Sequence, residues 1–158
     1  MHPLLVNIKD KQLVGKSCRM SMVNNRTAEL WKSFMAVRST IPSQPFQELI
    51  ALQVYGATYF TSFDAKKEFD QWACIEVENL KENPHEMQPF LLPGGLFAVF
   101  NYKGPSKDHR IFEYIYGTWV PQSKFQLDER PNFQVMGKKY SNNSPFSEEE
   151  IWIPLRIK

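Results

Sequence analysis

The segment QVYGATYF at 53–60 returns as QVMGKKYS at 134–141, with Gln, Val, Gly and Tyr in the same order 81 residues later. In a chain of 158 residues that offset leaves room for two copies of one unit and little else. The same shift carries LVGKSCRMSMVNN at 13–25 onto GGLFAVFNYKGPS at 94–106, both apolar runs that end in turn residues and read as strands. Helix signals follow each. In RTAELWKSFMAVRSTI, Leu30, Trp31, Phe34, Met35 and Val37 fall at three- and four-residue spacing between a cap at Asn25 or Thr27 and a stop at Pro42. In SKDHRIFEYIYGTWV, Ser106 is the candidate cap and Ile111, Phe112, Ile115 and Trp119 form the stripe. Leu30, Trp31 and Phe34 shift onto Ile111, Phe112 and Ile115, so the buried face is kept.

A β-rich pair follows each helix: FQELIALQVYGATYF with FDQWACIEVEN, and NFQVMGKKY with EEEIWIPLRIK. The register here is looser, because Trp72 meets Trp152 only after a slip of one residue. KENPHEMQPFLLPGG, rich in Pro and Gly, is the expected connector. The pattern predicts an α+β fold: duplicated βαββ units forming one antiparallel-rich sheet with two helices on one face, in a single domain over 1–158 with halves at about 10–80 and 90–158. Alternation places Gln53, Tyr55 and Tyr59 on one face, opposite Val54 and Gly56, and Gln134, Met136 and Tyr140 opposite Val135 and Gly137. If the glycines admit a close helix, Val and Gly face the helices and Gln, Tyr and Met face a groove at the seam.

Composition narrows the function. Twelve Phe, six Tyr and four Trp, 14% of the chain, exceed what a core of this size needs and suggest a ring-lined cavity. A formal charge of +2 with mixed signs is too weak a field for a nucleic-acid partner. No stretch has the length of a membrane span and MHPLLVNIKDKQLVG lacks a cleavage signal, so a cytoplasmic protein without membrane contact is expected. Cys18 and Cys74 read as packing residues, and the sequons Asn25-Arg26-Thr27 and Asn142-Asn143-Ser144 carry no meaning without secretion. His2, His85 and His109 are too dispersed to ligate a metal, and neither a metal nor another cofactor is expected. No nucleophile elbow is present, and the GG of LLPGGLF lacks phosphate-loop spacing.

The second half carries a resemblance. Trp119, Pro121, Ser123, Arg130, Pro131, Phe133, Ile151, Ile153 and Pro154 match a pattern of Trp, a Pro-Ser turn, Arg-Pro-x-Phe-Glu-x-Tyr and a last strand with Ile-x-Ile-Pro. In these the chain resembles the GyrI-like effector-binding domains, gyrase-inhibitor-like modules also fused to AraC- and MerR-type regulators. The resemblance implies a doubled βαββ fold whose cleft binds small hydrophobic, often cationic and aromatic compounds, multidrug ligands among them. Some relatives antagonise gyrase-directed toxicity, and others hydrolyse strained electrophiles. Here the family's Glu is Gln134 and its Tyr is Met136. An amide neither titrates nor attracts a cation by charge, which removes the group that the hydrolytic chemistry uses. Cation binding would rest on ring faces, each worth about 0.5–2 kcal/mol.

The expected ligand set is Gln134, Gln53, Tyr55, Tyr59, Trp72, Trp119, Trp152 and Met136, with Glu76 as a substitute carboxylate or a solvated rim group. Trp31 and Phe112, on helical stripes, read equally as core, and the Glu148-Glu149-Glu150 run reads as a solvated turn. These residues suit a stand-alone binding domain for a hydrophobic or aromatic compound, with no catalytic residue assigned. The alternatives are a hydrolase using Glu76 or a Tyr with Gln134, and a module that docks a partner protein.

Overall fold

The computed structural model describes residues 2–41, 48–79, 84, 86–141 and 144–158. Pro42, residues 81–83 and His85 of the expected connector, and Asn142-Asn143 of the second sequon lie outside the described residues. Among the described residues nine strands run in chain order as β1 Leu4–Ile8, β2 Lys11–Met20, β3 Leu49–Val54, β4 Phe69–Glu76, β5 Gln88–Leu92, β6 Gly95–Lys103, β7 Phe125–Leu127, β8 Asn132–Met136 and β9 Glu148–Ile157. All pairings are antiparallel, in the order β1-β6-β9-β8-β3-β4-β2-β5, with β7 added alongside β9. The fold is α+β, with one sheet and helices, as the sequence pattern predicts. Shifting by the repeat offset takes β2, β3 and β4 onto β6, β8 and β9, and the central six strands then read the same from either end.

Helix α1, Thr27–Val37, starts where Asn25 Oδ1 accepts the Thr27 amide at 2.9 Å, an Asx-type turn into the first helical residue. Leu30 and Phe34 are buried against Val14, Ala73 and Ile75, and such burial is worth about 1.5–3 kcal/mol per side chain. Helix α2, Arg110–Tyr114, runs into a π-turn at Ile115–Trp119 and a closing turn α3, Val120–Gln122. Ile111 and Ile115 pack on Ala98, Phe100, Ile151 and Ile153. Ser106 does not cap α2. The helix starts four residues later, where Asp108 Oδ1 accepts the Arg110 amide, and Ser106 instead meets the Tyr140 hydroxyl.

Part of the expected connector is a strand. Gln88–Leu92 forms β5 and pairs with β2, while β1 crosses to pair with β6, so each edge strand completes the other half of the sheet. Pro89 is tolerated because β5 is an edge strand with one side of its backbone unpaired. Where the β1–β2 and β5–β6 connections meet, the Gly94 amide donates to Asp10 Oδ1 at 2.7 Å.

One row of register partners, Ala73, Ala51, Gln134, Ile151 and Phe100, runs from beneath α1 to beneath α2. Both helices therefore lie on one face, and Gln53, Gln134 and Met136 share it with them. Val54 and Val135 belong to the opposite face with Leu52, Phe133 and Trp72. The expected assignment of Val and Gly to the helix side is reversed. Gly56 and Gly137 fall just beyond their strands, and nothing approaches Gly56 within 4 Å, so no close helix requires it. Strands β3 and β8 lie at the centre of this face, between the parts of the sheet that α1 and α2 cover.

Candidate ligand-binding groove

At the centre of the sheet β3 pairs with β8 through Leu52 and Phe133, with Ala51 opposite Gln134 and Gln53 opposite Asn132. On the helix side of this seam four amide side chains are buried: Gln53 at 7% exposure, Gln71 at 6%, Gln134 at 9% and Asn132 at 3%. Gln53 and Gln134, the two ends of the 81-residue echo, bond each other in both directions. Gln53 Nε2 donates to Gln134 Oε1 at 2.8 Å, and Gln134 Nε2 donates to Gln53 Oε1 at 3.1 Å. Gln53 Nε2 also donates to Gln71 Oε1 at 3.3 Å, while Gln71 Nε2 donates to its neighbour's carbonyl, Trp72 O. Burying amides costs several kcal/mol unless they are paired, and this reciprocal pairing makes the neutral floor stable.

Rings stand at one end of the floor. Tyr55 lies 4.4 Å from Tyr59, 5.0 Å from Phe60 and 5.1 Å from Phe69, centroid to centroid. Phe60 reaches across to Tyr116 of the π-turn at 5.0 Å, which joins the loop after β3 to α2. Tyr116 donates its hydroxyl to Asn132 Oδ1 at 2.7 Å. Burial pushes the phenols of Tyr55, Tyr59 and Tyr116 up from the ordinary tyrosine value, so all three are uncharged at neutral pH. Lys67 ties the loop by donating to the carbonyls of Thr58, Tyr59 and Ser62. Beside these rings a cavity of about 350 Å³ opens, walled by Tyr55, Phe60, Val120, Pro121, Phe125 and Asn132, with charged residues at its mouth. Its wall includes Asn132 and stops short of Gln53, Gln71 and Gln134.

The structure brings together Gln53, Gln134, Tyr55 and Tyr59, with Met136 two residues further along β8 on the same face. It does not bring Trp72, Trp152 or Glu76 to them. Trp72 packs edge-on to Phe90 on the opposite face, and Trp152 stacks on Phe133 at 5.1 Å with its Nε1 donating to Glu150. Glu76, register partner of Leu13 on that face, pairs with Lys11 at 3.2 Å. Trp119 meets Phe100 edge to face within the α2 core, and Trp31 meets Phe34 under α1. The one-residue slip between Trp72 and Trp152 is visible in the registers, since Leu52 faces Trp72 while its counterpart Phe133 faces Trp152.

Sequence reasoning missed Gln71, Asn132, Phe60, Phe69 and Tyr116. Two carry a signal: Asn132 lies two residues before Gln134 on the same strand face, and Tyr116 follows Phe112 by a helical turn. Gln71 and Phe69 reach the site only through the β3–β4 register, which no local pattern states.

The acidic run also departs from a simple solvated turn. Glu148 pairs with Lys139 and Glu150 accepts from Trp152, whereas Glu149, opposite Tyr102 on the helix-side face, has no hydrogen bond or ion pair among the described residues. Desolvation raises its carboxyl above the ordinary value. A carboxyl so raised adds stability that is complete below the unfolded-state value and is lost as pH climbs through the folded one. Glu149→Gln is therefore expected to raise the melting temperature at neutral pH, with the gain shrinking as the solution is acidified toward about pH 4. A thermal-unfolding series across that range checks it, and a gain independent of pH would contradict it.

Cys74 is buried with its Sγ against Ile50 O and Cys18 is half-buried; both are free thiols. Among the described residues no cluster of His, Cys, Asp or Glu could hold a metal ion, and no helix is long and apolar enough to cross a membrane.

A sequence model of the GyrI-like small molecule binding domain matches residues 1–156. The chain belongs to the GyrI-like family. Solved structures share the fold of this GyrI-like domain at low identity. SAV2435 bound to tetraphenylphosphonium superposes with a TM-score of 0.71 at 15% identity, covering 99% of this chain and 94% of that one. The C-terminal domain of EcmrR gives a TM-score of 0.68 at 14% identity, covering 99% and 98%. A hydrolase from Listeria innocua gives 0.65 at 8% identity, covering 98% and 92%. No curated protein sequence matches the chain.

Proposed function

We propose that this GyrI-like domain is a cytoplasmic binding domain that captures a flat aromatic compound in the cavity beside Tyr55 and Phe60, without covalent chemistry. The observation that carries the reading is the 350 Å³ cavity walled by Tyr55 and Phe60 and joined through Asn132 to a row of buried neutral amides. A sheet face built only for packing would carry aliphatic side chains at Gln53, Gln71, Asn132 and Gln134, because buried amides add nothing to a core that leucine would not. Ring walls over a polar floor are what a ligand with a flat apolar body and one or two polar atoms requires.

The groove differs in charge from one suited to lipophilic cations. SAV2435 holds a phosphonium cation, while here Gln53, Gln71, Asn132 and Gln134 are uncharged and Gln134 is engaged by Gln53. The same amides offer no titrating group for hydrolysis. We take the fold as two related halves in one domain, with the ligand at their seam and no nucleic-acid contact of its own.

A thermal-shift screen of flat lipophilic compounds tests the reading. Stabilisation by several of them is expected, reaching about 2.7 kcal/mol where a ligand is present at a hundred times its Kd. Tyr55→Ala should weaken the response. A broad panel without any shift would defeat the proposal.

A further inference from the structure

The cavity beside Tyr55 presents two side-chain donors without partners among the described residues, on Asn132 and Tyr55. Asn132, 3% exposed, belongs to its wall, and the Tyr116 hydroxyl occupies Asn132 Oδ1 at 2.7 Å. Nδ2, with two protons, has no acceptor among the described residues. The Tyr55 hydroxyl, in the same wall, likewise has no partner among them, and burial keeps it protonated. At the mouth, Arg130 and Asp128 are paired with each other at 2.7 Å, which leaves Arg156, Lys158 and Glu129 as the remaining charges of the lining. Arg156 is exposed and has no ion pair among the described residues, and Lys158 Nζ donates to Pro121 O. The balance of these remaining charges is two cations to one anion, in one lining with the amide protons of Asn132 and the phenol proton of Tyr55.

Resting on the binding role set out above, we infer that the ligand is an acceptor-rich aromatic anion, an arene bearing a carboxylate or sulfonate. Its ring lies against Tyr55 and Phe60, an acceptor oxygen takes the Asn132 Nδ2 protons, and the negative charge is met by Arg156 and Lys158. A buried N–H₂ without an acceptor costs the protein its full desolvation, and a ligand oxygen recovers it. A ligand ammonium could not: it has only donors to set against those of Asn132 Nδ2, and would meet the like charges of Arg156 and Lys158.

One scaffold with three head groups separates the possibilities: 2-naphthoate, 2-naphthamide and 2-naphthylmethylammonium, titrated calorimetrically into the full chain at low salt. The carboxylate is expected to bind at least about tenfold tighter than the ammonium, with the amide between them. Asn132→Asp keeps an acceptor for Tyr116 and replaces the donors, so carboxylate binding should fall about tenfold and ammonium binding should rise. Arg156→Gln, a change at an exposed position, should weaken the carboxylate about threefold and leave the amide unchanged. Ammonium binding equal to or tighter than carboxylate binding, in a protein that does bind the amide or other aromatic compounds, overturns this inference alone. If neither these three nor any aromatic compound binds, the binding role itself fails and takes the inference with it.

Discussion

Arg130→Met is expected to cost about 3–5 kcal/mol of folding stability, measured by urea denaturation at neutral pH. The Arg130 side chain is 15% exposed, and its guanidinium makes four hydrogen bonds from one planar fork. Nε donates to Asp128 Oδ2 at 2.7 Å, Nη1 to Gly94 O at 3.0 Å, and Nη2 to Leu96 O at 2.7 Å and Leu155 O at 3.0 Å. The same group lies 4.7 Å from the centroid of the Phe97 ring. It thereby joins the turn before β6, strands β6 and β9, and the segment leading into β8. Methionine fills most of the volume but leaves three carbonyls and a carboxylate without their donor, and each orphaned group costs about 1–3 kcal/mol where water cannot replace it. Arg130→Lys should recover less than half of the loss, because one ammonium cannot span four acceptors in fixed directions. Gly95 fits the same account. Its φ of +128° suits glycine, and a Cβ there would stand 2.7 Å from Arg130 Nη1, so the glycine makes room for the fork. A loss below about 1 kcal/mol would show that water satisfies these carbonyls and that the fork is not a structural tie.

Arg130 was readable in the sequence as part of a motif, but not for this role. The motif marks kinship, whereas Arg130 works by holding backbone from two places far apart in the chain, residues 94–96 and 155. The same distinction runs through the rest. Local periodicity made both helices legible, because Leu30 and Phe34, or Ile111 and Ile115, need only their own spacing to declare a buried stripe. The 81-residue echo also pointed to residues that meet, since Gln53 and Gln134 bond each other across the seam. What could not be read was which face the helices cover. Alternation separates Gln53 from Val54 without saying which one faces α1, and that is decided by long-range register: Ala73 and Ile151 share a row with Gln134. The tryptophans misled for the same reason. Trp72 and Trp152 sit on their strands with the opposite parity to Gln71 and Ile151, and parity sends them to the far face whatever their appeal as ligand-binding rings. The edge strand β5 was hidden by Pro89, a residue that breaks central strands and is harmless at an edge.

Gln134→Leu should then cost about 1–3 kcal/mol, and the reason is the partner it leaves behind. Without Gln134, Gln53 Oε1 loses its donor in a site where Gln53 is 7% exposed, and Gln53 Nε2 keeps only the 3.3 Å bond to Gln71. Replacing both ends removes the stranded group, so the Gln53→Leu, Gln134→Leu double variant is expected to lose less than the sum of the two singles, the mark of a direct interaction in a double-mutant cycle. Gln134→Glu is a sharper probe because it restores the acid of the family pattern. A carboxylate can accept from Gln53 Nε2, but its other oxygen faces Gln53 Oε1 with no proton between them, and Gln53 is the one side chain bonded to this position among the described residues. The variant should be less stable than the native chain at neutral pH and regain stability on acidification, because the buried acid then binds a proton that can donate to Gln53 Oε1. Additive single-site losses in the cycle, with Gln134→Glu as stable as the native chain at every pH, would mean that water reaches both amides. In the arrangement described here, Gln134 is committed to its echo across the seam, and ligand polarity is met by its neighbour Asn132.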